Sequence, residues 1–132
     1  MSSPIVERQE TSVIKPRQKF EGHTHWVEGV IHMPDGQRMM TCSRDGSLRL
    51  WNLKNGKQIG EDWRDGDNQV YTITLSPDGK KVVSGSFNSG VRLWDIDTGK
   101  LTAKWTGHAS AVWSVCWSRD GHRVISGSKD GT

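Results

Sequence analysis

Two sets of side chains in this sequence combine the groups of a hydrolase. His23, Thr41 and Asp45 bring an imidazole, a hydroxyl and a carboxylate, and His108, Ser126 and Asp130 bring them again. A hydroxyl activated by a histidine, itself oriented by a carboxylate, would be a nucleophile for acyl transfer. The setting speaks against that chemistry, because the set recurs along the chain and neither hydroxyl sits in a nucleophile-elbow sequence. A metal is the next candidate. His23 and His25 form an H-x-H pair with His32 nearby, but a site needs three or four converging ligands. Cys42 and Cys116 bring no C-x-x-C spacing. The glycines form no dinucleotide or phosphate-loop fingerprint, so no cofactor is expected.

The elements that must carry these residues follow from an internal period. Lys81–Lys100 reads KVVSGSFNSGVRLWDIDTGK; its SFNSGVRLWDIDTGK matches SRDGSLRLWNLKNGK 43 residues earlier, and its SGSFNSG is met again 42 residues later by SGSKDGT. A period of this size must be settled before local motifs are interpreted. Val27, Val70 and Val112 open a first strand in each copy. Asp35-Gly36, Asp78-Gly79 and Asp120-Gly121 then turn the chain, as Asp and Gly suit tight turns. Second strands are predicted over Arg38 to Ser43, Lys80 to Ser86 and His122 to Ser128, and third strands over Leu48 to Trp51 and Val91 to Trp94. Fourth strands are predicted near Lys57 to Trp63 and Lys100 to Trp105. No stretch offers a helical apolar stripe. The chain therefore reads as all-β, with four-stranded antiparallel units that must stack to bury their faces. Bulky residues at Phe20, Trp63 and Trp105 set the repeats at about 20–62, 63–104 and 105–132, the last truncated. Residues 1–12 read as a flexible leader ahead of a repeat region over 13–132. Val13 to Phe20 is a candidate edge strand, because it contains Pro16.

Composition limits the function classes. The 132 residues include 15 Gly and 7 Trp, a turn-rich rather than helix-rich balance. No apolar run is long enough to span a bilayer, and the N-terminus lacks the apolar core of a secretory signal. An intracellular protein, cytoplasmic or nuclear, with no membrane association is the expectation. Eighteen Lys and Arg against fifteen Asp and Glu give a net charge of +3. That mild excess argues against a dedicated nucleic-acid binder, which concentrates its basic residues. Two cysteines at different repeat positions read as buried reduced thiols, not as a disulfide framework.

Gly22-His23, Gly107-His108, Ser84-Gly85-Ser86, Ser126-Gly127-Ser128, Trp51-Asn52 and Trp94-Asp95, all in register, resemble the WD-repeat (β-transducin-like) propeller family. The resemblance covers about residues 13 to 132. It implies a partial β-propeller of two complete blades and a truncated third, unable to close as a single chain. It also gives the recurring polar set a role: a structural lock in each blade. The first lock would be His23, Thr41, Asp45 and Trp51. The second keeps Ser84 and Trp94, but Gly66 and Asn88 replace the His and Asp, so a looser blade is expected. It would then lean on Val70, Ile73, Val82 and Leu93. The third has His108, Ser126 and Asp130.

The resemblance further implies a non-catalytic scaffold whose partners are other proteins. They would dock on the face bearing the Gly-His loop. Matching positions are Trp26, Glu28, Tyr71 and Trp113 near the first strands, and Arg44, Phe87 and Lys129 in the turn before the third strands. Aromatic residues and Arg suit such an interface, although Trp26 and Trp113 could equally wedge between blades. Phe87, in a turn that the lock does not need, is the strongest single candidate. The alternative function is a nucleic-acid-associated propeller using Lys15, Arg17, Lys19, Arg44 and Arg64. Open blade edges also make self-association an expectation. The chain reads as a piece of a longer propeller, with assembly of several copies or an open stack as alternatives.

Overall fold

Short β-rich runs punctuated by Asp-Gly and Asn-Gly turns leave each segment only its neighbour to pair with, and the chain folds as successive hairpins. The computed structural model describes residues 18–132. The first sheet contains β1 (Val27–His32), β2 (Arg38–Ser43), β3 (Ser47–Asn52) and β4 (Gln58–Arg64), in that spatial order. The second contains β5 (Val70–Leu75), β6 (Lys81–Ser86), β7 (Gly90–Asp95) and β8 (Leu101–Thr106). A two-stranded sheet of β9 (Val112–Trp117) and β10 (Val124–Ser128) follows. Every pairing is antiparallel. No helix occurs among the described residues, so none there is long and apolar enough to cross a membrane.

The strands fall where the period predicts them, but the repeat and the sheet are out of phase. Trp63 and Trp105, which open repeats in the sequence, lie in the last strands of the preceding sheets, paired with Leu48 and Val91. Each repeat thus completes one sheet before it starts the next, which ties neighbouring sheets together covalently. The proposed leader and residues 13–17 of the candidate edge strand lie outside the described residues. Residues 18–20 are not in a strand.

Alternation along β6 explains how the sheets stack. Successive side chains of a strand point to opposite faces, and Val82 and Val83 are both fully buried, on opposite sides. Val82 joins a core between the first and second sheets, with Met40, Leu48, Leu50, Trp63 and Trp94. Val83 joins a second core with Val91, Val112 and Val115. Of the residues expected to hold the middle sheet, Val70 and Val82 belong to the first core, Ile73 is partly buried against it, and Leu93 packs against the second. The second sheet therefore buries both faces. Gly85 lets β9 come close: a Cβ there would lie 2.6 Å from Val112 Cγ1 and 2.8 Å from Thr72 Cγ2. The three sheets stack side by side without closing a ring.

Candidate partner-binding face

The polar set of the first sheet forms one connected network. Trp51 Nε1 donates to Thr41 Oγ1 at 2.8 Å, Thr41 Oγ1 lies 2.6 Å from His23 Nε2, and His23 Nδ1 lies 2.8 Å from Asp45 Oδ2. With the proton on Nδ1, every member is satisfied: the imidazole donates to Asp45 and accepts from the hydroxyl, which accepts from the indole. The His23 and Asp45 side chains are 4% and 2% exposed. Burial alone would raise the Asp45 pKa, but hydrogen bonds from Ser47, His23 and the Thr24 backbone outweigh it and hold the carboxyl well below the usual range. In the third sheet, His108 Nδ1 lies 3.1 Å from Asp130 and Nε2 lies 2.7 Å from Ser126 Oγ. Hydrogen bonds from Thr132 and the Ala109 backbone keep Asp130 low as well.

The second sheet retains Trp94 Nε1 donating to Ser84 Oγ at 2.9 Å, and a separate polar group lies beside it. Arg92, 3% exposed, donates from Nε to Asp65 Oδ2 at 2.7 Å and from Nη1 to Ser86 Oγ at 2.7 Å. Lys104 Nζ also reaches Asp65, at 3.0 Å. The Arg92 hydrogen bond, then that of Lys104, lowers the Asp65 pKa. The guanidinium thus ties Asp65, the neighbour of Gly66, to Ser86 and, at 3.4 Å, to Asn88, and does not reach the Ser84–Trp94 pair. Arg49, the matching residue 43 positions earlier, is likewise buried and reaches Asp62 at 3.1 Å. Sequence reasoning missed both arginines. Their recurrence in the Arg-Leu-Trp tripeptides of β3 and β7 was the available signal.

The partner-face residues are positioned by a repeated irregularity. Pairing of β1 with β2 jumps between Val27 and Gly29, pairing of β5 with β6 between Val70 and Thr72, and pairing of β9 with β10 between Val112 and Ser114. The skipped residues are Glu28, Tyr71 and Trp113. A β-bulge leaves one residue unpaired and re-aims its side chain. Backbone bonds from Arg44 N to Trp26 O, Phe87 N to Gln69 O and Lys129 N to Ala111 O, all 2.9 Å, bring each turn beside its bulge. Position 28 therefore meets 44 as an ion pair, Arg44 Nε to Glu28 Oε1 at 2.6 Å. Position 71 meets 87 as an edge-to-face aromatic pair at 6.2 Å.

These local pairs join into a row across all three sheets. The Arg44 guanidinium lies 4.5 Å from the Trp26 ring centroid and 5.4 Å from that of Tyr71. Tyr71 in turn stacks on Trp113, centroids 4.4 Å apart and planes within 8°. Trp26, Phe87 and Trp113 remain 65%, 60% and 49% exposed. Trp113 contacts a neighbouring sheet through Tyr71 and still faces solvent, so wedging and display are not exclusive. A depression of about 510 Å³ lies among Arg44, Tyr71, Phe87, Trp113 and Lys129.

The other candidate residues do not converge. Lys15 and Arg17 lie outside the described residues, Arg44 is paired with Glu28, and Arg64 bonds to Asp62 and to the Asp45 carbonyl. His25 accepts from the Trp26 backbone, and no group of three or more His, Cys, Asp or Glu among the described residues is placed to hold a metal. Cys42 is buried as expected, which pushes its thiol up to about 12. Cys116, expected to be buried too, is free and exposed, because on β9 it points away from the side on which Val115 packs against the second sheet.

Comparison with known proteins bears on the same segments. Residues 14–52, 59–95 and 99–132 each match the family model described as WD40: WD domain, G-beta repeat. Among similar curated proteins, Lissencephaly-1 homolog 1 of Paramecium tetraurelia is 49% identical over 39 residues, 30% of this chain and 10% of that protein. Small ribosomal subunit protein RACK1 of Medicago sativa is 46% identical over 41 residues, 31% of this chain and 13% of that protein. The RACK1 protein of Glycine max gives the same identity and coverage. The aligned part thus spans a small fraction of each relative.

Proposed function

This chain belongs to the WD-repeat family, and from that premise we propose that it is a non-catalytic scaffold presenting the aromatic row of its three sheets to a partner protein. The observation that carries the proposal is the alignment of three β-bulges, which puts Glu28, Tyr71 and Trp113 on one face beside Arg44, Phe87 and Lys129. Side chains held by stacking lose little freedom on binding, so a partner gains more from contacting them. Solvent-facing aromatic and Arg residues are the types that dominate interface energetics. One similar protein is named as a small ribosomal subunit protein, part of a larger assembly, and a scaffold role accords with that.

In the first sheet, access disfavours the hydrolase alternative. Thr41 is 4% exposed and its oxygen is held by Trp51 and His23, which leaves no approach for a carbonyl carbon. Two free thiols suit a reducing, intracellular setting. The test is affinity capture with the intact chain and with Phe87→Ala and Trp113→Ala variants, each checked by circular dichroism for retained fold. Partner proteins recovered with the parent chain should fall at least about tenfold in both variants, as expected for central interface residues. Full recovery by both variants would overturn the proposal.

A further inference from the structure

Charge and shape at the depression between the second and third sheets define the partner more narrowly. Its walls are Tyr71, Phe87 and Trp113, and Lys129 and Arg44 stand at its edges. At about 510 Å³ it falls within the roughly 300–1,000 Å³ of small-ligand clefts. Arg44 is neutralised by Glu28 at 2.6 Å, whereas Lys129 is exposed and makes no ion pair among the described residues. Asp130 beside it is turned away, held by His108, Thr132 and the Ala109 backbone. The depression therefore carries a net positive edge around an aromatic floor.

Resting on the scaffold reading above, we propose that this depression takes a short acidic peptide segment of a partner protein, anchored by one aromatic or large aliphatic side chain. The anchor lies against Phe87 and Trp113, where burying an apolar side chain supplies most of the affinity. A carboxylate within a few residues of it pairs with Lys129. A cationic guest is disfavoured, although aromatic rings attract cations. The rim residue Lys129 repels it, and Tyr71 and Trp113 spend a face of each ring on one another. Single-stranded nucleic acid would use the same stacking surfaces. It would also need several free cations along its backbone, and of the described basic residues that line the depression, Arg44 and Lys129, only Lys129 lacks an ion pair.

Four probes titrated into the intact chain test this: an acidic peptide with a central Phe, the same peptide with Ala for Phe, a version with Lys for every acid, and oligo-uridine. Calorimetry should give the acidic Phe peptide at least about tenfold tighter binding than each of the others. Phe87→Ala should abolish that binding, and Lys129→Glu should invert the preference between the acidic and basic peptides. The proposal is overturned by absence of binding of the acidic Phe peptide up to about 1 mM, by equal binding of the basic peptide, or by tighter binding of oligo-uridine. The scaffold reading fails separately. If captured proteins depend on Phe87 and Trp113 but ignore Lys129→Glu, the face stands and the acidic partner does not.

Discussion

At the level of single residues, the second sheet lacks the histidine and aspartate of the first, with Gly66 and Asn88 in their places, and keeps the buried guanidinium that both sheets share, Arg92 matching Arg49. The two members of the Arg92–Asp65 pair differ in burial. Arg92 is 3% exposed and its Nη2 has no hydrogen-bond partner among the described residues, while the Asp65 side chain is 30% exposed. Removing the carboxylate strands a buried charge, whereas removing the arginine leaves a carboxylate that water can reach. Asp65→Asn should therefore cost about 3 kcal/mol, and Arg92→Met about 1 kcal/mol or less. Urea denaturation of both variants checks the order; a larger loss for Arg92→Met would remove Asp65–Arg92 from the role given it here. The His23 set was legible because a second copy, at His108, repeats its spacing. Arg92 recurs in the same way, at Arg49, but arginine in a strand is ordinarily read as an outward-facing residue, which hides its burial.

At the level of elements, the strand positions were legible because Asp-Gly turns and β-branched runs recur with the period. The bulges were not, since Glu28, Tyr71 and Trp113 share no residue type that marks an irregular pairing. Close packing between sheets was equally hidden. Gly85 and Gly127 occupy the same repeat position, yet a Cβ on Gly127 would meet only Ser114 Cβ, at 3.9 Å. A Cβ on Gly85 would collide with Val112 and Thr72. Overpacking of this kind costs about 1–3 kcal/mol, so Gly85→Ala should lower the urea midpoint while Gly127→Ala leaves it nearly unchanged. Equal effects at the two positions would mean that β9 does not depend on this approach.

At the level of the whole molecule, the open stack leaves apolar surface uncovered. Trp105 and Ile125 are 48% and 62% exposed, and Trp105 lines a depression of about 400 Å³ with Val91, Leu93 and Trp117. The outer edge of β10 has no strand partner among the described residues. Exposed edges and apolar patches promote association. Light scattering across a dilution series should show the apparent mass rising with concentration, and Trp105→Lys with Ile125→Lys should suppress the rise. A constant monomer mass would show that these surfaces do not self-associate. Here the sequence was informative at coarse grain only: periodicity announces stacked sheets, but which apolar faces remain uncovered depends on how the stack is assembled.

The bulges carry one more consequence. A residue that sits outside the ladder can change identity without altering the pairing on either side of it, and the flanking valines at 27, 70 and 112 stay the same while the bulged residue is Glu, Tyr or Trp. What the molecule displays and what holds it together are thereby written in separate alphabets. A new binding preference can be spelled into three positions of this surface while the grammar of the fold is left untouched.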